Sequence, residues 1–452
     1  MTRTLEALAR HSTSGIEIST LPKTIRDAIQ VTRHLQVNLL WVDSLCIVQD
    51  DADELAREIA NMSSYYGNSL LTISASAAKS AAEGFLHPNS HTADDRDQRT
   101  YELPFRFNDS TKGYVRLLPP RDPCSEAIDT RAWTLQEGLT SSRLVSFGRD
   151  TISWSCLSDN HGEVRLGSLR QRFRKCGAQM EGRLMVPTFQ AGRSSREFWV
   201  DVWNDIVYDY CDRQLSDPAD GLAAISGIAN ELSAAVQRGN ARPIDPSVPM
   251  YLAGLWNSDH LPLQLLWQPR EPRQYPPRDV YVAPSWSWAA VRAPLRRYDE
   301  EAYLRWLQRW WNYYRAQLKV PFKFDSCNLK LSNNTAPYGA LKSGSLMVYG
   351  RTCTTDASSL HAGKLGGMTI SLDVGGHSSH PDFLSQFSQK VGDVPLTLLE
   401  VCPGSFEDKT GEKFPAGLAL TKDNDGNYRR VGLLFYAEST VISWETATLK
   451  LV

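Results

Sequence analysis

The chain has 452 residues, 42% of them apolar and 22% charged, which suits two or three soluble globular domains. Forty-nine basic residues against 51 acidic ones leave a formal net charge of −2. That balance gives no electrostatic reason to expect nucleic acid or an anionic membrane as partner. Eight scattered cysteines form no CxxC pair, so neither a zinc knuckle nor a redox dithiol is indicated. They read as reduced thiols of an intracellular, cytoplasmic protein. No apolar run approaches the roughly 18 residues of a membrane span, and the N-terminus "MTRTLEALARHSTSG" lacks the apolar core of a signal peptide.

Taken in chain order, "LPKTIRDAIQVTRHLQ" puts Ile25, Ala28, Ile29, Thr32 and Leu35 on one face and predicts a helix over 21–36. "NLLWVDSLCIV" predicts a buried strand. "DDADELAREIANMSSYY" returns to helical spacing through Leu55, Ile59, Met62 and Tyr66, and "SLLTISAS" predicts a second buried strand. Helix, strand, helix, strand with short connections implies an α/β unit with parallel strands. "YELPFRF" and "GYVRLLP" are short candidate strands, "RAWTLQEGL" opens a helix, and "RLVSFGRDTISWSC" predicts a hairpin turning at Gly148. Helices follow in "SREFWVDVWNDIVYDYCDRQL" and "DPADGLAAISGIANELSAAV", and "MYLAGLW" with "LPLQLLW" suggests a third. A very aromatic helix is expected near 301–318. The remainder reads as antiparallel strands, with "DNDGN" the strongest hairpin signal. The organisation is an α/β core over 1–160, a mainly helical middle region over 161–295, and an aromatic helix plus a β-rich region over 296–452.

Asp50, Asp51, Asp53 and Glu54 crowd together, with the spacing of the aspartate-rich magnesium motif of terpene cyclases. Those cyclases are all-helical, whereas Asp50 follows an expected strand, and carboxylates in a first helical turn are favoured by the helix dipole alone. No metal site is assigned. Asp43 and Ser44 lie near the end of the expected strand, where open α/β sheets bind ligands; the alternative is a carboxylate capping its own turn. "HSSH", with His377 and His380, lies between glycines and a proline and reads as a loop. Trp286 and Trp288 in "APSWSWAAV" are either packing residues or the wall of a ligand pocket.

Several blocks together resemble the fungal heterokaryon incompatibility (HET) domain proteins: "LPKTIRDAI", "LWVDSLCIVQDDADELAREIANMSSYYGNSLLTISAS", "GFL" at 84–86 and "TRAWTLQEGLTSSRLVSFGRDTISWSC". "DPADGLAAISGIA", "YLAGLW" and "YVAPSWSWAAV" are similar to the segment that commonly follows that domain. The resemblance implies a TIR-like, Rossmann-like α/β core and a role in non-self recognition and programmed cell death, with protein partners or self-assembly. TIR relatives include enzymes that cleave NAD, so NAD is the implied candidate substrate, with no bound cofactor implied. On that reading Glu58 is the catalytic acid, with Asp43 beside it. Ser44, Asp50, Arg131, Trp133, Gln136, Glu137, Trp286 and Trp288 are candidate ligand-binding residues. The "RxWTLQE" block fits either a site or a buried scaffold. Family members usually carry a strand like "YxALSYCWG" some thirty residues before "LPKT", and this sequence has nothing of that kind there. A biosynthetic enzyme, such as a cyclase or isomerase acting on a small metabolite, and a non-catalytic regulatory module are the alternatives.

Overall fold

A computed structural model of the chain describes Thr4, Glu6, Ala7 and residues 13–86, 101–106, 112–117, 126–149, 152–156, 198–238, 247–270, 281–291, 293–297, 305–306, 322–355, 368–373, 395–402, 405–407, 411, 413–436 and 442–452. The "HSSH" motif, and all of the expected aromatic helix except Arg305 and Trp306, lie outside them.

Helix α1 (Lys23–His34) starts after Pro22, whose fixed φ suits a helix entry, and ends on Arg33 and His34, the charge that a C-terminus favours. The expected strand across "NLLWVDSLCIV" does not form. Asp43–Cys46 is instead a four-residue helix, α2, entered from an extended Val42. The reason is local: the Asp43 carboxylate accepts the Ser44 N–H at 2.6 Å and bends the chain into a turn. The apolar run is not buried as a unit either. Leu39 is 86% exposed, whereas Ile47 and Val48 are buried.

Helix α3 (Ala52–Asn68) is capped by Asp51, whose carboxylate accepts from the N–H groups of Asp53 and Glu54, both at 3.0 Å. Strand β1 is short, Thr72–Ser74. A hairpin of β2 (Tyr101–Arg106) and β3 (Lys112–Leu117) follows. Helix α4 (Trp133–Thr140) leads into β4 (Arg143–Phe147), which pairs in parallel with β1, Ile73 opposite Val145. Strand β5 (Ile152–Cys156) closes the expected hairpin, antiparallel to β4. The parallel pair is therefore β1 with β4, on either side of α4, and the class is α/β.

In the middle region α5 (Phe198–Cys211) and α6 (Ala223–Arg238) form where predicted, and α6 packs on both α3 and α4. "YLAGLW" departs from expectation. It is a tight hairpin of β6 (Tyr251–Leu252) and β7 (Leu255–Trp256), with Ala253 and Gly254 both at positive φ, as a two-residue turn of this kind demands. Only Leu261–Gln264 of the neighbouring segment is helical (α7).

The C-terminal strands are β8 (Phe322–Leu331), β9 (Leu341–Thr355), β10 (Thr369–Leu372), β11 (Leu396–Glu400), a small β12 (Phe406–Glu407) with β13 (Lys413–Phe414), β14 (Gly417–Lys422), β15 (Tyr428–Phe435) and β16 (Glu445–Leu451). The main sheet runs β10-β15-β14-β11-β9-β16, with β8 on β9, and a single Tyr428–Leu451 pairing joins β15 back to β16. The "DNDGN" turn joins β14 to β15, with Asp423 accepting from the Asp425 and Asn427 amides. One hydrophobic core runs from α4 through α5, α6 and the β6–β7 hairpin into this sheet. At its centre the Arg430 guanidinium pairs with Asp373, both buried, and also donates to the Leu265 and Trp267 carbonyls.

Candidate functional site

Two of the family-like blocks meet around Glu137. It sits on α4, half-buried, and its carboxylate hydrogen-bonds the Tyr66 hydroxyl near the end of α3. Burial is the main influence on it, and the nearby Asp43 charge adds to it. Together they outweigh Arg131, the Tyr66 hydrogen bond and Arg213, so the Glu137 carboxyl is pushed up to about 7. Burial likewise raises the Tyr66 hydroxyl well above its usual range, helped by Glu137 and Asp43 and opposed by Arg131. Two acids, a tyrosine and two arginines thus share one electrostatic neighbourhood. Asp43 and Arg131 are exposed, so this neighbourhood opens to solvent.

Trp41 fixes the approach of the Asp43 segment to α3. Its ring lies 5.4 Å from that of Tyr65 and 5.6 Å from that of Tyr66, edge-on to the latter. Arg131 is set in the turn before α4, and its guanidinium makes no hydrogen bond among the described residues. That turn is clamped by the segment after α5: the Ala132 N–H donates to the Gln214 carbonyl at 2.9 Å and the Gln214 N–H to the Thr130 carbonyl at 2.6 Å.

The remaining sequence candidates lie elsewhere. The Glu58 carboxylate accepts from the Tyr65 hydroxyl at 2.6 Å, which raises that hydroxyl to about 12. Residues seven apart on a helix share a face, and the next position turns away by about 100°. Glu58 therefore goes with Tyr65, while Tyr66 faces Glu137. Ser44 gives its N–H to Asp43 and is half-buried, and Asp50 is exposed just before the α3 cap. Trp133 and Gln136 belong to packing. The Trp133 Nε1 donates to Asp220 at 3.3 Å, and the fully buried Gln136 accepts the Gly227 N–H at 2.8 Å. Gly227 is required there, since a Cβ would come within 2.8 Å of the Gln136 amide. The "RxWTLQE" block is thus scaffold at Trp133 and Gln136 and faces the cluster at Arg131 and Glu137.

Trp286 and Trp288 are buried in the middle region; the Trp288 Nε1 donates to the Gly254 carbonyl at 2.9 Å. Trp288 lines a cavity of about 40 Å³ with Trp203, Trp267 and Trp306, room for a few water molecules. Among the described residues, no group of three or more His, Cys, Asp or Glu side chains is gathered to hold a metal ion.

Sequence reasoning missed Tyr66 and Arg213 as site residues. Tyr66 falls on the apolar stripe of α3 with Ile59 and Met62, so its spacing points to core. Arg213 carries no local motif, and only the fold brings it to Glu137.

An α/β unit whose acids, tyrosine and arginine come from separated blocks defines the class. Residues 2–137 match the family model described as Heterokaryon incompatibility protein (HET), and the chain carries a domain of that family. Neither a curated protein nor a solved structure matches the chain. Among the described residues, no helix is long and apolar enough to cross a membrane.

Proposed function

We propose that this protein acts in non-self recognition and programmed cell death, and that its HET domain cleaves NAD at the cluster of Asp43, Tyr66, Arg131 and Glu137. The observation that carries the reading is the Glu137 carboxyl, held near neutrality beside a second acid and an exposed, uncommitted arginine. Perturbed carboxyls in an open cluster are what acid–base and electrostatic catalysis use.

The chemistry needs little more than these groups. When the bond from the ribose C1′ to the nicotinamide nitrogen breaks, its electron pair goes to the ring nitrogen and nicotinamide leaves neutral. Positive charge develops at C1′, and an ionised Glu137 stabilises it. Water then adds to C1′ and gives up its proton to a carboxylate, for which Asp43 is the second candidate. Arg131 suits the diphosphate, as planar guanidinium groups do.

The test is incubation of the purified full-length chain with NAD, with free nicotinamide followed by chromatography. Release should be lost in Glu137→Ala and retained in Glu58→Ala. It should rise with pH through about 7, since the ionised carboxyl is the working form. Loss in Glu58→Ala alone would move the catalytic acid to the Tyr65 face. An intact fold with no nicotinamide released under any assembly condition would favour the non-catalytic module instead.

A further inference from the structure

Arg213 lies well outside the segment that matches the HET family, yet it reaches the cluster. Its side chain is only 7% exposed. One Nη donates to the Arg131 carbonyl and to the Thr134 hydroxyl, both at 3.3 Å, and the other pairs with Asp209 at 3.1 Å. The next residue, Gln214, makes the two backbone hydrogen bonds that clamp Thr130 and Ala132. The turn that presents Arg131 is therefore held from two sides: by Thr134 of its own segment, whose hydroxyl donates to the Arg131 carbonyl at 2.7 Å, and on its outer side by the end of α5.

We infer that Arg213 is a positioning residue through which the middle region governs the site: it fixes the turn that carries Arg131 and turns its charge toward Glu137. The inference rests on the reading of this cluster as the site. The groups facing Glu137 are Asp43 from α2, Tyr66 from α3, Arg131 from its own turn and Arg213 from the end of α5. Helix α6 meets α4 through Gly227 against the neutral Gln136. Of the two cations, Arg213 is the one held by fixed contacts, so movement of α5 against α4 would change the charge that Glu137 meets. A partner or assembly step acting on the middle region would thereby switch the site without touching it.

The experiment titrates Glu137 directly in the full-length protein, by infrared spectroscopy with ¹³C-carboxyl glutamate and assignment from Glu137→Gln. In Arg213→Gln the midpoint should rise by roughly half a pH unit or more, because a nearby cation is lost. Arg213→Lys keeps the charge and should stay near the parent. The rising limb of NAD cleavage should follow the same order. A folded Arg213→Gln with an unmoved midpoint overturns the inference, as does an Arg213→Lys that shifts as far as the Gln variant. Should Arg213→Gln not fold, Asp209→Asn serves. It relieves Arg213 of its counter-charge, so the midpoint should fall, and an unmoved or raised midpoint overturns the inference. The infrared titration needs no substrate. Failure of NAD cleavage alone would thus sink the proposed activity and leave this question to be decided separately.

Discussion

Replacing Glu137 by Gln should make the protein more stable at pH 8 than its parent, and by an amount that depends on pH. In the folded protein the Glu137 carboxyl titrates at about 7 against an ordinary 4.5. The folded state holds its proton more tightly than the unfolded chain does. The stability this contributes is fully present below 4.5 and is lost as pH rises through about 7. At about 1.4 kcal/mol per pH unit, that interval corresponds to roughly 3 kcal/mol. The side chain is half-buried, so water screens part of the cost and the figure is an upper bound. Glutamine keeps the shape and an acceptor for Tyr66 but never ionises. Urea unfolding of both proteins at pH 5, 6, 7 and 8, followed by tryptophan fluorescence, isolates the effect, because the other titrating groups cancel in the difference. The Gln variant should gain on its parent between pH 5 and 7 and then run parallel. A difference that stays constant across the range would refute the assignment of a proton-holding Glu137.

The "GFL" block yields a second test. The Asp27 carboxylate accepts the Phe85 and Leu86 N–H groups at 2.7 and 3.0 Å, and Gly84 beside it has φ +76° with Asp27 and Lys23 where a Cβ would lie. Gly84→Ala should cost on the order of 2–4 kcal/mol in unfolding free energy, from backbone strain and crowding together. Burial opposes ionisation of Asp27, but the two amides and Lys23 prevail and hold its carboxyl below the usual range. Asp27→Ala should therefore destabilise by about 2–3 kcal/mol near neutrality, and the gap to the parent should narrow as acidification protonates Asp27. In the C-terminal region, Arg430→Met strands Asp373 as a buried charge and frees two buried carbonyls, and should cost roughly 3–5 kcal/mol in chemical denaturation. A double replacement, Arg430→Met with Asp373→Leu, should recover part of that loss.

Local rules sufficed for the elements whose causes are local. The α3 cap at Asp51, the "DNDGN" turn and the spacing of α1, α5 and α6 follow from side chains acting within a few residues of themselves. The family-like blocks were legible for the same reason: each is a contiguous string. Where local and long-range forces compete, the sequence misleads. The apolar "NLLWVDSLCIV" looks like a strand, but one carboxylate accepting its neighbour's N–H bends it into a short helix, and only Val48 at its end takes part in a β-bridge. "YLAGLW" has the apolar content of a helix, yet two consecutive residues at positive φ make it a hairpin.

The candidate site shows the division most sharply. The family resemblance pointed to Glu58 as the catalytic acid with Asp43 beside it, and to Arg131 and Glu137 as candidate ligand-binding residues in a block that fitted either a site or a scaffold. It could not say that Asp43, Arg131 and Glu137 meet while Glu58 turns to Tyr65, nor that Tyr66 and Arg213 complete the group. A one-residue step on α3 separates Tyr65 from Tyr66 by about 100°, and only the packing of α3 on α4 decides which of them faces Glu137. The charge state of Glu137 likewise depends on burial and on partners up to 94 positions away in the chain, Asp43 among them. Desolvation and Coulomb forces act through space, so they were fixed only when the chain folded.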